Sequence, residues 1–138
     1  MTKAIGFGVN KKGEKVKELE IIRRDLTNFD VSVKILYCGI CHSDKHHIRN
    51  DWGDSKFPLI PGHEIIGIVD DIGSNVSQVL IGDYVAIGNM TDSCQVCSNC
   101  EKGEEQYCLN EGPTWVYNGN ERLDGRGGRT LLPLGSPT

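Results

Sequence analysis

Four closely spaced cysteines are the feature that most constrains how this chain can fold. Cys94, Cys97 and Cys100 are each separated by two residues, and Cys108 follows after seven more. Two intervening residues allow a tight turn to direct both thiolates at one ion, and a later cysteine can complete a tetrahedron. The spacing predicts a closed four-sulfur zinc site with a structural role, because no coordination position stays open for a substrate.

Two disulfides, free core thiols or an iron–sulfur cluster are the alternative uses of these cysteines. The chain starts at Met1 and runs into the charged stretch 11–15 without an apolar signal segment. It also contains no run of about 18 apolar residues that would span a membrane. We therefore expect a soluble, cytoplasmic protein, in which disulfides are disfavoured.

Charge and length exclude further classes. The chain carries 15 basic and 19 acidic residues, a formal net charge of −4, and has no Lys/Arg stripe that would neutralise phosphates. We expect no nucleic-acid partner. The 138 residues fit one globular domain. The 17 glycines, spread along the chain, indicate frequent turns and a β-rich fold.

Apolar periodicity supports a mainly β fold. Residues 30–37 alternate with a period of two and predict a strand. Residues 64–71 form a nearly continuous apolar run, which predicts a strand buried on both faces, and Gly67 within it marks a bulge or a close backbone approach. Residues 84–87, bounded by glycines, predict a third strand.

A short helix and a stiff connector lie between the first two predicted strands. Ser43 or Asp44 could cap a helix of two or three turns within residues 41–50. The proline-containing stretch 57–62 predicts an extended connector that delivers His63 to the start of the second strand.

A second group of ligand-type residues surrounds this helix. Cys41 and His63 offer a thiolate and an imidazole from adjacent strand ends, which suits zinc, and Asp44 could hold the far nitrogen of His63. His46 and His47 could instead belong to a solvated helix face. Cys38 and Cys41 also have redox-motif spacing, but the βαβ context that would support a thiol redox protein is missing.

The motifs of residues 37–44 (YCGICHSD), 50–53 (NDWG) and 57–69 (FPLIPGHEIIGIV), followed by the four-cysteine loop, carry a family resemblance. From about residue 35 to 117 the chain resembles the N-terminal part of a zinc-dependent medium-chain alcohol dehydrogenase, nearest to the cinnamyl alcohol dehydrogenase group. The resemblance implies a GroES-like, partly open β-barrel with short helices over residues 1–117. It implies a zinc-binding lobe at about residues 90–110.

The same resemblance implies roles for individual residues near a catalytic zinc. Cys41 and His63 would be zinc ligands, and Glu64 would be a carboxylate able to approach the ion. Ser43 would accept the alcohol proton, and His46 would pass it on.

The resemblance also implies supporting residues. Asp44 would hold His63, and His42 would contact the pyrophosphate of the cofactor. Trp52 would line the substrate pocket, unless it is a core indole. The structural zinc would be held by Cys94, Cys97, Cys100 and Cys108.

The function implied by the resemblance is interconversion of an alcohol and an aldehyde by hydride transfer with NADP. Zinc with an open position would lower the pKa of the bound alcohol, so that a serine can take its proton. The partner would be a small-molecule alcohol or aldehyde. Dimerisation is possible in such a protein but does not follow from the sequence.

Three features depart from the family pattern. The family's third protein ligand comes from further downstream, and no Cys or His follows Cys108. No strand–Gly-x-Gly-x-x-Gly–helix unit occurs, so we expect no Rossmann domain within these 138 residues. Residues 118–138 diverge, are rich in charge and glycine, and predict a disordered tail.

These departures predict a weak catalytic zinc site and no activity of the chain by itself. The alternative is a stand-alone zinc-binding interaction module that does not transfer hydride.

Overall fold

The structure, a computed structural model, describes residues 2–117, 119 and 131–133. The described elements are eight strands, two α-helices and a 3-10 helix. They are β1 (Thr2–Gly8), β2 (Lys17–Arg23), β3 (Val31–Cys38), α1 (His42–Arg49), β4 (Ile65–Ile72), β5 (Tyr84–Ile87), β6 (Met90–Asp92), α2 (Ser98–Glu101), the 3-10 helix (Glu105–Tyr107), β7 (Thr114–Trp115) and β8 (Leu131–Pro133). Within these ranges, no helix has the length and apolar character needed to cross a bilayer.

The strands form three antiparallel sheets. β1 and β2 make a hairpin, β6 and β7 make a second two-stranded sheet, and the largest sheet has the order β3-β4-β5-β8. No sheet closes on itself within the described part of the chain. The predicted mainly β class with short helices is confirmed.

The predicted strands are close to the observed ones. Residues 30–37 correspond to β3, residues 64–71 to β4, and Tyr84–Ile87 is β5. The predicted close approach at Gly67 is also confirmed, because a Cβ there would lie 2.4 Å from Val33 Cγ1 and 2.6 Å from the Lys34 carbonyl oxygen. A bulge in β3 lies opposite this glycine.

The prediction that β4 is buried on both faces is wrong. Val69 is buried at 1% exposure, but Ile66 is 39% exposed and Asp70 and Asp71 are exposed. One face of β4 packs on the core, and no described element covers the other. The continuous apolar run therefore reflects a half-covered antiparallel strand.

The core consists of two small apolar clusters. Val69, Val79 and Val85 form one of them, beneath the largest sheet. Val9, Leu59 and Tyr117 form the other. Val9 and Leu59 exchange two backbone hydrogen bonds of 2.9 Å, which anchor the connector 57–62 to the end of β1. This connector leads to His63.

Helix α1 is capped differently from the prediction. The N-cap is Cys41, which has extended backbone angles, and not Ser43 or Asp44. Asp44 is the third helical residue, and its carboxylate accepts a 2.9 Å hydrogen bond from the Cys41 N–H. This hydrogen bond satisfies a free amide at the helix start. Asn50, with φ of 51°, ends the helix in a left-handed conformation.

Leu131–Pro133 lie within residues 118–138, for which the sequence predicts a disordered tail, and form a strand. These three residues pair with β5, with Pro133 opposite Val85. The free edge of β5 offers unpaired backbone groups, and an edge strand tolerates proline. The rest of the predicted tail lies outside the described residues, apart from Gly119.

Candidate functional site

The four predicted structural ligands converge in one lobe. Cys94 follows β6, Cys97 is the N-cap of α2, Cys100 lies within α2, and Cys108 follows the 3-10 helix. The sulfur of each cysteine lies within 4.8 Å of the other three sulfurs. The pairing of β6 with β7 closes the base of the lobe.

The sulfur geometry fits a tetrahedral zinc. The Cys94 and Cys100 sulfurs are 3.8 Å apart, and those of Cys97 and Cys100 are 3.4 Å apart. Ligands at the usual zinc–sulfur distance lie about 3.8 Å apart in a tetrahedron. Backbone N–H groups of Cys94 and Leu109 point at the sulfurs of Cys108 and Cys97, at 3.5 and 3.4 Å. Such donors stabilise thiolates.

The thiols of the lobe differ in acidity. Backbone hydrogen bonds, chiefly from Leu109, lower the pKa of Cys97 to about 6. Cys100 has a hydrogen bond with Ser93 that favours its thiolate, yet burial and the neighbouring thiol of Cys97 raise its pKa to about 11. Four thiolates crowded together are therefore not stable without a cation, which is the condition a structural zinc satisfies.

A second cluster of ligand-type groups lies between α1 and β4. Cys41, His63 and Glu64 each place one ligand atom within 4.8 Å of the others. The Gly39 N–H donates a 2.8 Å hydrogen bond to the Glu64 carbonyl oxygen, which continues the pairing of β3 with β4. A Cβ at Gly39 would lie 2.4 Å from Glu64 Oε2. The missing side chain of Gly39 therefore makes room for the Glu64 carboxylate.

His63 is held at both ring nitrogens. Its Nδ1 lies 3.0 Å from the Tyr117 hydroxyl and 3.3 Å from Asp44 Oδ1, and its Nε2 lies 3.4 Å from Ser43 Oγ. His63 is only 9% exposed, and Asp44 is 6% exposed. Because Nδ1 is occupied by protein groups, Nε2 is the nitrogen that can reach a metal beside Cys41.

Three further predicted site residues, His42, His46 and Trp52, have neighbouring rings along and just beyond α1. His42 and His46 have ring centroids 4.8 Å apart, and Trp52 lies 5.0 Å from His46. His46 Nδ1 is 2.8 Å from Asp51 Oδ2. No direct hydrogen bond links Ser43 to His46 among the described residues. Trp52 is 58% exposed, which does not fit a core indole.

His47 differs from the solvated helix face that a histidine at this position suggests. It is 9% exposed, and the centroid of its ring lies 4.9 Å from that of Trp52 and 4.2 Å from that of Tyr117. Burial lowers its pKa. Only one face of α1 carries accessible imidazoles.

No motif or spacing in the sequence points to Tyr117. Its hydroxyl accepts a 2.6 Å hydrogen bond from the Gly62 N–H, contacts His63 Nδ1 and donates to Asp44 Oδ1. An isolated aromatic residue near the end of the recognisable motifs carries no local signal for such a contact.

Cys38 and Cys41, the two cysteines of the redox alternative, do not form a disulfide with each other. All six cysteines are free. Cys38 is exposed, and its sulfur contacts the Gly39 carbonyl oxygen at 3.6 Å, whereas Cys41 belongs to the cluster with His63.

The mainly β domain carries a four-cysteine lobe and a separate Cys–His–Glu cluster, and each of these groups could hold a metal ion. Comparison with known proteins identifies its family. The alcohol dehydrogenase GroES-like domain family matches residues 27–130. The chain is 49% identical over 122 residues to a probable zinc-type alcohol dehydrogenase-like protein of Acanthamoeba polyphaga mimivirus, covering 88% of this chain and 28% of that protein.

Solved structures agree. A cinnamyl alcohol dehydrogenase of Sorghum bicolor superposes with a TM-score of 0.85 at 30% identity, covering 96% of this chain and 40% of that one. A cinnamyl alcohol dehydrogenase of Helicobacter pylori, complexed with NADP(H), superposes with a TM-score of 0.80 at 35% identity. The match covers 91% of this chain and 36% of that one.

The chain belongs to the alcohol dehydrogenase family, as a GroES-like domain of the cinnamyl alcohol dehydrogenase type. The predicted resemblance, the GroES-like fold and the use of zinc and NADP within the family are confirmed. The chain spans about a third of the length of the curated relatives it matches. The family match also continues past residue 117, the predicted end of the domain.

Proposed function

We propose that this chain forms the N-terminal catalytic part of a zinc-dependent alcohol dehydrogenase that interconverts alcohols and aldehydes with NADP. The observation that carries the proposal is the convergence of Cys41, His63 and Glu64 within 4.8 Å, with the Ser43 hydroxyl 3.4 Å from His63 Nε2. A soft thiolate, an imidazole and a carboxylate around one point suit zinc.

Each residue of this cluster has a separate task in the proposed reaction. Zinc bound by Cys41 and His63 would lower the pKa of an alcohol hydroxyl. Glu64, which is exposed, approaches the same point from the start of β4. Ser43 is proposed to receive the alcohol proton, because its hydroxyl adjoins the His63 nitrogen that would bind the metal.

His46 is proposed to carry the proton onward to solvent. Its Nδ1 is engaged by the Asp51 carboxylate, which leaves Nε2 free to accept a proton. Ser43 lies one helical turn before His46 on α1, so a water molecule or a substrate hydroxyl would bridge the two.

His42 and Trp52 are proposed to face the ligands. His42 is exposed in the first turn of α1 and is assigned to the cofactor pyrophosphate. The exposed indole of Trp52 lies beside His46 and is assigned to the substrate pocket. Asp44 supports His63, as its buried position and 3.3 Å contact suggest.

The second zinc is proposed to be structural. Cys94, Cys97, Cys100 and Cys108 fill a tetrahedron by themselves. Six free cysteines are compatible with a reducing compartment, and we place the protein in the cytoplasm on that ground.

We also propose that the 138-residue chain does not turn over alcohol by itself. Hydride transfer requires the nicotinamide to be held about 3 to 3.5 Å from the substrate carbon. His42 alone does not replace a glycine-rich turn and a helix N-terminus as a dinucleotide site. The purified, zinc-loaded chain should show no oxidation of cinnamyl alcohol with NADP and no saturable NADP binding by calorimetry.

Cobalt substitution tests the metal assignment. Cobalt bound at the Cys41 cluster should give a thiolate-to-cobalt absorption band beyond that of the four-cysteine lobe. The additional band should vanish in Cys41→Ser and persist in the matched control Cys38→Ser. Equal spectra for wild type and Cys41→Ser would contradict the assignment and favour a zinc-binding module without dehydrogenase chemistry.

A further inference from the structure

Tyr117 joins three groups that lie far from it in sequence. Its hydroxyl is 2.6 Å from the Gly62 nitrogen and 3.0 Å from His63 Nδ1, and it donates to Asp44 Oδ1. Tyr117 itself is 6% exposed. The hydroxyl is therefore a buried junction between the start of α1 and the segment that carries His63.

Counting hydrogens at this junction determines the state of the His63 ring. A tyrosine hydroxyl has one hydrogen, and here it points to the Asp44 carboxylate, which can only accept. The Gly62 N–H can only donate, so it uses one lone pair of the hydroxyl oxygen. The remaining partner, His63 Nδ1, must then donate to that oxygen. A neutral His63 with hydrogen on Nδ1 presents the lone pair of Nε2 to a metal.

The tyrosine is itself rigidly placed. Its ring packs with Val9 and Leu59 in one of the two buried clusters. The centroid of the Tyr117 ring lies 4.2 Å from that of the His47 ring. A hydroxyl on a fixed ring is therefore a directional partner for the imidazole.

Asp44 does not replace the hydroxyl. Its Oδ1 lies 3.3 Å from His63 Nδ1, but it also receives the Tyr117 hydrogen, and its Oδ2 accepts from the Cys41 N–H. The carboxylate is thus shared between the helix cap and the tyrosine. The 3.0 Å contact of Nδ1 is with the hydroxyl.

We propose that Tyr117 is a positioning residue that fixes the His63 ring in the tautomer with hydrogen on Nδ1 and directs Nε2 toward the metal. The inference rests on the proposed function for the role of the metal, but the hydrogen-bond assignment does not depend on it.

The test compares Tyr117→Phe with the control Tyr107→Phe. Phenylalanine keeps the buried ring and removes only the hydroxyl, and Tyr107 is 66% exposed. The His63 tautomer is read from long-range proton–nitrogen NMR spectra of the chain with a zinc-filled lobe and an emptied second site. The spectra are recorded at a pH of about 8. The His63 signals are assigned by their loss in His63→Gln.

We expect wild type and Tyr107→Phe to show the Nδ1–H tautomer of His63. Tyr117→Phe should show a substantial population of the Nε2–H tautomer. Its cobalt affinity at the second site should fall about 10- to 100-fold, as is usual when the outer partner of a metal-bound histidine is removed. Zinc in the four-cysteine lobe should be retained and reports folding.

Two results would overturn the inference. One is an Nε2–H tautomer of His63 in the wild type, which needs no variant to be folded. The other is an unchanged Nδ1–H tautomer in Tyr117→Phe, whatever happens to cobalt binding. If the wild type binds no metal at the second site, the proposed function fails, while the tautomer comparison still decides the role of Tyr117.

Discussion

Ser43 Oγ lies 3.4 Å from Nε2 of His63, so a hydroxyl at the start of α1 adjoins the nitrogen that we propose as a metal ligand. The two residues are 20 apart in sequence. The contact exists because Cys41 caps α1 beside the end of β3, while the proline connector brings His63 to the neighbouring start of β4. The proposed proton acceptor and the proposed metal ligand thus share one edge of the domain.

Removing one sulfur should release the metal of the four-cysteine lobe. In Cys100→Ser the tetrahedron loses a buried thiolate, and the neighbouring sulfurs lose their shared cation. We expect loss of one zinc per chain by elemental analysis and loss of dispersed amide signals for the lobe. Cys38→Ser, at an exposed cysteine outside the lobe, should keep that zinc. Retention of zinc by Cys100→Ser would remove the structural assignment.

The two metal sites should differ in affinity. The lobe offers four thiolates, whereas the second cluster offers Cys41, His63 and the exposed carboxylate of Glu64. An incompletely coordinated ion exchanges with water and binds more weakly. Dialysis against a mild chelator should therefore remove zinc from the second site first. Two equally tight zinc ions per chain would show that the second site has a further ligand.

Gly67→Ala should destabilise the largest sheet. The new Cβ would lie 2.4 Å from Val33 Cγ1 and 2.6 Å from the Lys34 carbonyl oxygen, and the backbone atom cannot rotate away. Overpacking of this kind costs about 1 to 3 kcal/mol, with the higher end expected here. The matched control is Gly88→Ala, where a Cβ meets nothing within 4 Å. Urea unfolding of both variants measures the difference, and equal midpoints would contradict the tight contact.

Acid should weaken the domain through Asp30. Its carboxylate accepts hydrogen bonds from both terminal nitrogens of Arg24 and from the Thr27 N–H. Chiefly through Arg24, these bonds lower the pKa of Asp30 from 3.8 to about 2. Because the folded-state pKa lies below the unfolded one, the stabilisation is complete above about pH 4 and is lost as the pH falls toward 2.

The size of this effect is about 1 to 2 kcal/mol, after allowance for solvent screening of a partly exposed pair. Asp30→Asn should lower the free energy of unfolding at neutral pH and flatten its dependence between about pH 4 and 2. Asp70→Asn, at an exposed position on β4, is the control. A pH profile of Asp30→Asn that parallels the wild type would rule out this ion pair as the source.

Features that depend on short stretches of chain were predictable from the sequence. The four-cysteine spacing indicated that the four sulfurs converge, because two intervening residues suffice to aim neighbouring thiolates at one point. Alternation in residues 30–37 indicated β3, since side chains on a strand point to opposite faces in turn. The motifs around Cys41 and His63 were sufficient to indicate the family.

Only the tertiary structure decided how the second cluster is supported. Tyr117 is 54 residues from His63 and 73 from Asp44, and no periodicity or spacing links positions so far apart. Their contact depends on Leu59 pairing with Val9 and on the Tyr117 ring packing against both. The cap of α1 is instead a local matter: it is Cys41 because the Asp44 carboxylate, three residues on, turns back to its N–H, although Ser43 and Asp44 are the residue types that cap helices most often. Local sequence patterns determine which groups are available, and long-range packing determines which of them meet.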